Sequence, residues 1–280
     1  MLYDAKRHAR TAQGLAISTI HGDLLWLDGG WSGSCHEHEL IGLAGVGEVL
    51  DDEAHPARGR RRSVIDLDRD GDVWILRMDE GENRFNRRWL DAFNAALDRV
   101  EAAEGPAALV TTGERKFYTN GMDLDWLATI SAEAAGFLAE VNRLFARLLG
   151  FPLATAAAVN GHAFGTGAVL AVAHDIVVMR EDRGYWCLPE ADLGFPITPA
   201  MFAVIAAKLP DRTAQEAILT GRRYGGPDAA AAGIVHQLAS EDQVLTRAVQ
   251  LAAGLATKER RTLAEHKRML YGEAIKTCGG

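Results

Sequence analysis

The most informative segment of the sequence is Asn160-Gly161-His162-Ala163-Phe164-Gly165-Thr166-Gly167-Ala168-Val169-Leu170. A run typical of a buried strand, residues 155–159, precedes it, and residues 165–173 have the composition of a short apolar helix. Glycine at such a turn lets the main chain approach a ligand, and the start of a helix offers unpaired N–H groups. The segment therefore predicts a strand-to-helix turn whose backbone can donate hydrogen bonds to a ligand, with an ordinary tight turn as the alternative.

Two further segments place polar groups beside predicted strands. Residues 117–124, Phe-Tyr-Thr-Asn-Gly-Met-Asp-Leu, form a glycine-containing loop after a predicted strand at 108–111. In the segment 186–196, Glu190 and Asp192 follow a short run of apolar residues. A carboxylate among apolar residues has a raised pKa because burial disfavours its charged form, and such a group can take and return a proton. The alternative interpretation is that these carboxylates lie in a turn and are exposed to solvent.

The remaining pattern alternates strands and helices. An Asp-Gly turn at residues 70–72 separates two apolar runs and predicts a β-hairpin. Apolar residues at helical spacing predict helices over 90–100 and 131–149, the second capped by Ser131. We therefore expect a protein of the α/β class.

The chain divides into three regions. Residues 1–62 mix glycines, acids and a basic run at 58–62 without a sustained period, and we interpret them as an N-terminal extension of unknown role. Residues 63–209 alternate strand and helix and are predicted to form the core. Helical patterns dominate residues 210–280, which we expect to form a helical C-terminal region.

The composition restricts the classes of partner. The 280 residues include 38 acidic and 30 basic ones, for a net charge of −8. Neutralising phosphates needs clustered cations, so we expect no nucleic-acid partner, although the run at 58–62 is a local exception. No apolar run reaches the ~18 residues that a membrane helix needs, so we expect no membrane segment. Three cysteines and no visible export signal are typical of a reducing compartment, and we predict a cytoplasmic location.

Several familiar sites are excluded or disfavoured. The cluster Cys35-His36-Glu37-His38 resembles a metal site, but four adjacent residues cannot all reach one ion, so no metal is predicted. Cys187 is interpreted as a small core residue rather than a nucleophile. The pair Gly165 and Gly167 lacks the third glycine of a dinucleotide-binding fingerprint, because Leu170 stands there.

Taken in order and spacing, the three segments resemble the motifs of the enoyl-CoA hydratase/isomerase, or crotonase, superfamily. The family's motifs are matched by residues 117–123, 160–167 and 189–194. The likeness extends from about residue 63 to the C-terminus. Residues 1–62 fall outside it.

The resemblance implies a crotonase-like spiral of strand-strand-helix units and a helical C-terminal region that makes trimer contacts. The bound partner would be an acyl-CoA thioester, with coenzyme A as part of the substrate and no separate cofactor. The protein would then be a homotrimer or a dimer of trimers. Carried over by position, the oxyanion hole consists of the backbone N–H groups of Met122 and Thr166. Thr166 replaces the usual glycine, but any residue except proline keeps that donor.

The same resemblance separates two reactions. Hydratases of the family use two glutamates to add water, and Val169 stands at the first position while Glu190 matches the second. Asp192 cannot easily replace the missing acid, because two residues along an extended chain is ~7 Å. A single glutamate is similar to the Δ3,Δ2-enoyl-CoA isomerases, in which one carboxylate takes the C2 proton and returns it at C4. We therefore expect an enoyl-CoA isomerase. Hydration, another crotonase reaction and non-catalytic acyl-CoA binding are the alternatives.

Further expectations concern the rest of the substrate. Arg84 and Lys116 are the nearest cations to the matching loops and are candidates for binding the phosphates of coenzyme A. Asp123 is expected to hold its loop by local hydrogen bonds. The acyl pocket is expected to include Trp126, Leu127 and Val169, with Phe137 and Phe202 in its wall.

Overall fold

The computed structural model describes residues 64–280 and, within the preceding region, the backbone of two short paired strands, β1 (Ala16–Ser18) and β2 (Leu24–Trp26). The chain separates into two compact units, Met1–Arg62 and Ser63–Gly280. The Cys35–His38 cluster and the basic run at 58–62 lie outside the described residues.

The larger unit contains strands in its first two thirds and mostly helices thereafter. The strands are β3 (Ile65–Asp70), β4 (Val73–Met78), β5 (Ala108–Gly113), β6 (Phe117–Thr119), β7 (Ala154–Val159), β8 (His162–Phe164), β9 (Ile176–Arg180), β10 (Trp186–Cys187) and β11 (Gln237–Ala239). The helices are α1 (Arg87–Glu101), α2 (Leu124–Thr129), α3 (Ala134–Leu149), α4 (Thr166–Ala173), α5 (Glu190–Leu193), α6 (Pro199–Lys208), α7 (Asp211–Thr220), α8 (Gly226–Ala231), α9 (Val244–Ala253) and α10 (Arg260–Thr277).

A six-stranded sheet in the order β11-β9-β7-β5-β4-β3 forms the centre of the unit. Its neighbours pair in parallel except β3 and β4, which form the hairpin predicted at residues 70–72. Strand β7 is buried along its whole length, as expected for a parallel strand covered on both faces. Its alanines let α9 pack closely, with Ala248 and Ala252 in the same core cluster as Ala156.

A second, three-stranded sheet in the order β10-β8-β6 positions the site. Its strands are parallel and only two or three residues long, and the pairing of β6 with β8 shifts register between Phe117 and Thr119. Each of these strands lies within one of the three segments that the sequence singled out. The second sheet therefore aligns these segments side by side.

Two details differ from the sequence prediction. Helix α3 begins at Ala134, and its N-cap Glu133 makes no side-chain hydrogen bond, so Ser131 is not the cap. Strand β11, three residues among helices, had no recognisable pattern because its stability comes from pairing with β9.

A buried ion pair attaches α10 to the amino-terminal ends of β7 and β9 in the central sheet. The Lys267 ammonium lies 2.6 Å from Asp175 Oδ2 and donates to the Leu153 carbonyl at 2.8 Å. The same Asp175 oxygen accepts hydrogen bonds from the backbone N–H and the hydroxyl of Thr155. Lys267 is only 3% exposed, so its charge depends on these partners.

Replacing Lys267 tests this anchor. We expect Lys267→Met to lower the free energy of unfolding by about 2–4 kcal/mol, because Asp175 keeps a largely buried charge without its partner. Arg261→Met removes an ion pair that is largely exposed on both sides, and it should change stability by less than about 0.5 kcal/mol. Urea denaturation measures both. Equal effects of the two substitutions would contradict a structural role for the buried pair.

Candidate active site

Backbone pairing with Phe85 holds the loop that contains Met122. The Phe85 N–H donates to the Gly121 carbonyl at 2.8 Å, and the Asp123 N–H donates to the Phe85 carbonyl at 3.1 Å. These bonds form an isolated parallel bridge between Phe85 and Met122. Within the described part of the chain, no protein acceptor pairs with the Met122 N–H, which remains available to a ligand.

The N-cap residues of α1 and α2, Asn86 and Asp123, are hydrogen-bonded to each other and hold the end of this loop. The Asn86 side chain accepts a hydrogen bond from the Trp89 N–H at the start of α1 and donates to Asp123 Oδ2 at 3.2 Å. The other oxygen of Asp123 accepts from the Trp126 N–H at the start of α2. The predicted structural role of Asp123 is confirmed.

Asn83 is a supporting residue that the sequence did not reveal. It is 1% exposed and has a φ of 54°, a left-handed conformation that asparagine tolerates better than most residues. Its side-chain amide donates to the carbonyls of Phe117 and Tyr118, and its own carbonyl accepts from the Thr119 hydroxyl at 2.6 Å. These contacts bridge more than 30 residues of sequence, so no local pattern could have indicated them.

The segment that contains Phe164 and Thr166 lies against the loop that contains Met122, so close that their backbones are in contact. Gly121 has a φ of 78°, and a Cβ atom built there would lie 2.6 Å from the Phe164 carbonyl oxygen and 3.3 Å from the Thr166 nitrogen. Thr166 is the first residue of α4, where N–H groups lack intrahelical acceptors. The structure therefore brings Met122 and Thr166 together, as two adjacent backbone donors.

Glu190 lies beside the second donor. It opens the single turn α5, and a Cβ atom built on Gly165 would lie 3.0 Å from Glu190 Oε1. Within the described residues Oε2 is buried without a hydrogen-bond partner. Burial raises the pKa of Glu190 to about 7, against a smaller lowering by its own backbone N–H. A group with this pKa can both accept and release a proton at neutral pH.

Asp192 points away from this cluster. It lies on the same helical turn but is exposed, and its Oδ2 is so close to Gly221 that a Cβ atom there would be only 2.5 Å away. Residues two apart in a helix project from different sides. Glu190 is therefore the carboxylate that this segment supplies to the two donors.

The apolar candidates lie on four helices, α2, α3, α4 and α6. Val169 is fully buried in α4, and its N–H donates to the Gly165 carbonyl at 3.1 Å. Leu127 is buried in α2, and the Trp126 ring packs edge-on against Phe137 at 4.7 Å. Phe202 on α6 is 52% exposed. Whether these side chains contact an acyl group stays a prediction.

The two cations proposed for phosphate binding are not brought together. Arg84 forms ion pairs with Glu82 at 2.6 Å and Asp125 at 3.6 Å. Lys116 precedes β6, at the opposite end of that strand from Met122, and its ammonium lies 5.6 Å from the centre of the Phe117 ring. The charge of Arg84 is thus already balanced by two acids.

Cys187 is a core residue, as expected. It is 1% exposed, its thiol contacts the Gly221 carbonyl, and burial raises its pKa to about 12. Residues 64–280 contain no cluster of three potential metal ligands. None of the helices in this range has the length and hydropathy required to cross a bilayer.

Comparison with known proteins agrees with this arrangement. A family model described as enoyl-CoA hydratase/isomerase matches residues 70–275, which include all three segments. The chain belongs to the enoyl-CoA hydratase/isomerase family. The Arabidopsis thaliana protein named peroxisomal enoyl-CoA delta isomerase 2 is 34% identical over 226 residues, covering 76% of this chain and 93% of that protein.

Solved structures of the enoyl-CoA hydratase/isomerase family share the fold. An apo enoyl-CoA isomerase of Mycobacterium tuberculosis gives a TM-score of 0.72 at 26% identity, covering 78% of this chain and 95% of that one. The human mitochondrial delta3-delta2-enoyl-CoA isomerase gives a TM-score of 0.72 at 22% identity, covering 76% and 84% of the two chains. The predicted family and fold class are confirmed.

A glycine substitution tests the backbone contact between the loops. We expect Gly121→Ala to lower the free energy of unfolding by about 2–4 kcal/mol, because alanine is strained at this φ and would contact the Phe164 carbonyl. Gly136→Ala is the matched control. Gly136 is exposed in α3 with nothing near its Cβ position, so alanine should stabilise by about 0.5 kcal/mol. Urea denaturation measures both, and a neutral Gly121→Ala would show that the loops are farther apart.

Proposed function

We propose that the protein is an enoyl-CoA isomerase that moves the double bond of a 3-enoyl-CoA to the 2-position through Glu190. The observation that carries this proposal is the single desolvated carboxyl group of Glu190 beside Gly165, next to the Thr166 donor. The similarity to proteins named enoyl-CoA delta isomerase supports the same reaction.

The proposed reaction needs one acid-base group and two donors. The thioester carbonyl oxygen accepts hydrogen bonds from the N–H groups of Met122 and Thr166, which stabilise the negative charge that develops there. One such donor is typically worth ~3 kcal/mol of barrier. Ionised Glu190 removes a proton from C2, the electrons form a dienolate, and the protonated Glu190 returns the proton to C4. The C3–C4 double bond becomes a C2–C3 double bond, with no net change in composition.

Hydration is the main alternative, and Val169 argues against it. In the family's hydratases a second glutamate occupies this position and helps to hold the water. Val169 is fully buried and cannot transfer a proton, and Asp192 contacts Gly221 instead. An apolar side chain here also helps to exclude water from the dienolate.

We further propose that coenzyme A is bound as part of the substrate, without a separate cofactor. Trp126, Leu127 and Val169 are the proposed contacts of the acyl group. Lys116 is a more suitable phosphate contact than Arg84, because the acids Glu82 and Asp125 already neutralise Arg84. The cytoplasmic location stays a prediction.

A trimer or dimer of trimers is proposed for the assembly. Met269 and Leu270 on α10 are 84% and 70% exposed, and Phe202 on α6 is 52% exposed. Large apolar side chains exposed on two helices are typical of a surface that another protein covers. The family resemblance makes a second copy of this chain the proposed partner.

Glu190→Gln tests the proposed catalytic group. With trans-3-enoyl-CoA as substrate, we expect the wild-type protein to form trans-2-enoyl-CoA and Glu190→Gln to lower kcat by about 10²–10⁴-fold, because the amide cannot accept the proton. Asp192→Asn is the matched control and should retain activity. Formation of 3-hydroxyacyl-CoA as the main product, or full activity of Glu190→Gln, would contradict the proposal.

The pH dependence provides an independent test. The base form of Glu190 is required in the free enzyme, so kcat/KM should rise with pH and level off above a midpoint near pH 7, the raised pKa of this group. Asp192→Asn should leave the midpoint unchanged. A midpoint near 4.5, the ordinary value for glutamate, would show that the group acting as base is not desolvated.

A further inference from the structure

Three buried polar side chains form a continuous hydrogen-bonded chain beneath the site. The hydroxyl groups of Tyr118 and Thr111 lie 2.7 Å apart, and Thr111 Oγ1 lies 3.0 Å from His174 Nε2. His174 Nδ1 lies 2.9 Å from the Leu170 carbonyl oxygen. All three side chains belong to residues that are 0% exposed. None of them takes part in the proposed proton transfer.

The donors and acceptors in this chain have one consistent direction. The Leu170 carbonyl can only accept, so His174 Nδ1 carries the hydrogen and donates it. Burial lowers the pKa of His174 to about 4, so the ring is neutral at pH 7 and its Nε2 is an acceptor. Thr111 therefore donates to His174 and accepts from Tyr118. Tyr118, Thr111 and His174 each donate one hydrogen along the chain, and no polar atom of the three side chains is left without a partner.

The two ends of the chain lie on the two segments that carry the oxyanion donors. Tyr118 is in β6, at the register shift against β8, and precedes Met122 by four residues. Leu170 is in α4 and follows Thr166 by four residues. Thr111, in the middle, is in the central strand β5. The hydrogen-bonded chain thus connects both donor segments to one rigid strand.

We propose that Tyr118, Thr111 and His174 are positioning residues that fix the separation of the Met122 and Thr166 N–H groups. They do not touch the substrate and act through the backbone of the two segments. This inference rests on the proposed function, because it assigns to these residues the alignment of its oxyanion hole. Donors stabilise a developing charge only when their geometry is already correct. A small displacement of either segment should therefore lower the rate without preventing binding.

Two substitutions interrupt the chain at different points. Tyr118→Phe removes one hydrogen bond and keeps the ring in place, whereas Thr111→Val removes both hydrogen bonds of the threonine with little change in shape. Thr111→Ser keeps the hydroxyl and serves as the rescue variant. Thr213→Val is the matched control, because Thr213 is also buried and donates to a carbonyl, that of Ala232, but in helix α7.

The first measurement is steady-state kinetics with trans-3-enoyl-CoA. We expect kcat to fall roughly tenfold in Tyr118→Phe and further in Thr111→Val, with KM within about twofold of wild type, because alignment in the transition state is lost rather than binding. Thr111→Ser should recover most of the rate. Thr213→Val should lose stability but keep kcat.

The second measurement detects the donors directly. Hydrogen bonds to a thioester carbonyl lower its infrared stretching frequency, so a saturated acyl-CoA bound to wild type should show a shifted carbonyl band. We expect a smaller shift in Tyr118→Phe and Thr111→Val, and the wild-type shift in Thr213→Val and Glu190→Gln. Since Glu190→Gln is expected to slow proton transfer and to leave the backbone donors in place, this readout separates the positioning role from the reaction.

The outcomes distinguish the two proposals. Wild-type kcat and band position in Tyr118→Phe would overturn the positioning role while leaving the isomerase proposal intact, even if Thr111→Val fails to fold. A wild-type protein that shifts the carbonyl band but does not convert trans-3-enoyl-CoA would overturn the isomerase proposal alone. A wild-type protein with no shifted carbonyl band would overturn both.

Discussion

The structure of the site depends on one constraint, the approach of two backbone segments to contact distance. Gly121 leaves no room for a side chain between itself and the Phe164–Thr166 segment, and Gly165 leaves none between itself and Glu190. Both glycines have positive φ values, 78° and 53°, which most other residues adopt only with strain. The two contacts are made by adjacent segments of the structure. The N–H groups of Met122 and Thr166 and the carboxyl group of Glu190 therefore lie close together.

The chemistry follows from what surrounds the carboxyl group. Among residues 64–280, no side chain is hydrogen-bonded to Glu190 Oε2, which is buried. Desolvation therefore dominates its pKa, which approaches neutrality. A carboxylate that also had to share a water with a second acid would need polar neighbours.

The sequence could predict those parts of the fold and of the site that depend on residues close together in the chain. The hairpin at residues 70–72, the strand-to-helix turn at Gly165 and the loop at residues 117–124 have short motifs, and the order of the segments indicated the family. The supporting residues could not be predicted in this way. Asn83 contacts Tyr118 across 35 residues, and Thr111 contacts His174 across 63. A buried asparagine or threonine has no local pattern that reveals its partner, because the partner is chosen by the packing of the sheet.

The second sheet was also absent from the sequence prediction, since its strands have only two or three residues. Such strands form because their neighbours hold them, and they position Met122, Thr166 and Glu190 together.

The ionisation of Glu190 can be measured from its carboxyl band, in wild-type minus Glu190→Gln infrared difference spectra across a pH titration. We expect a midpoint near pH 7, because burial raises the pKa of Glu190. A midpoint near 4.5 would show that the carboxylate is solvated and would contradict this expectation.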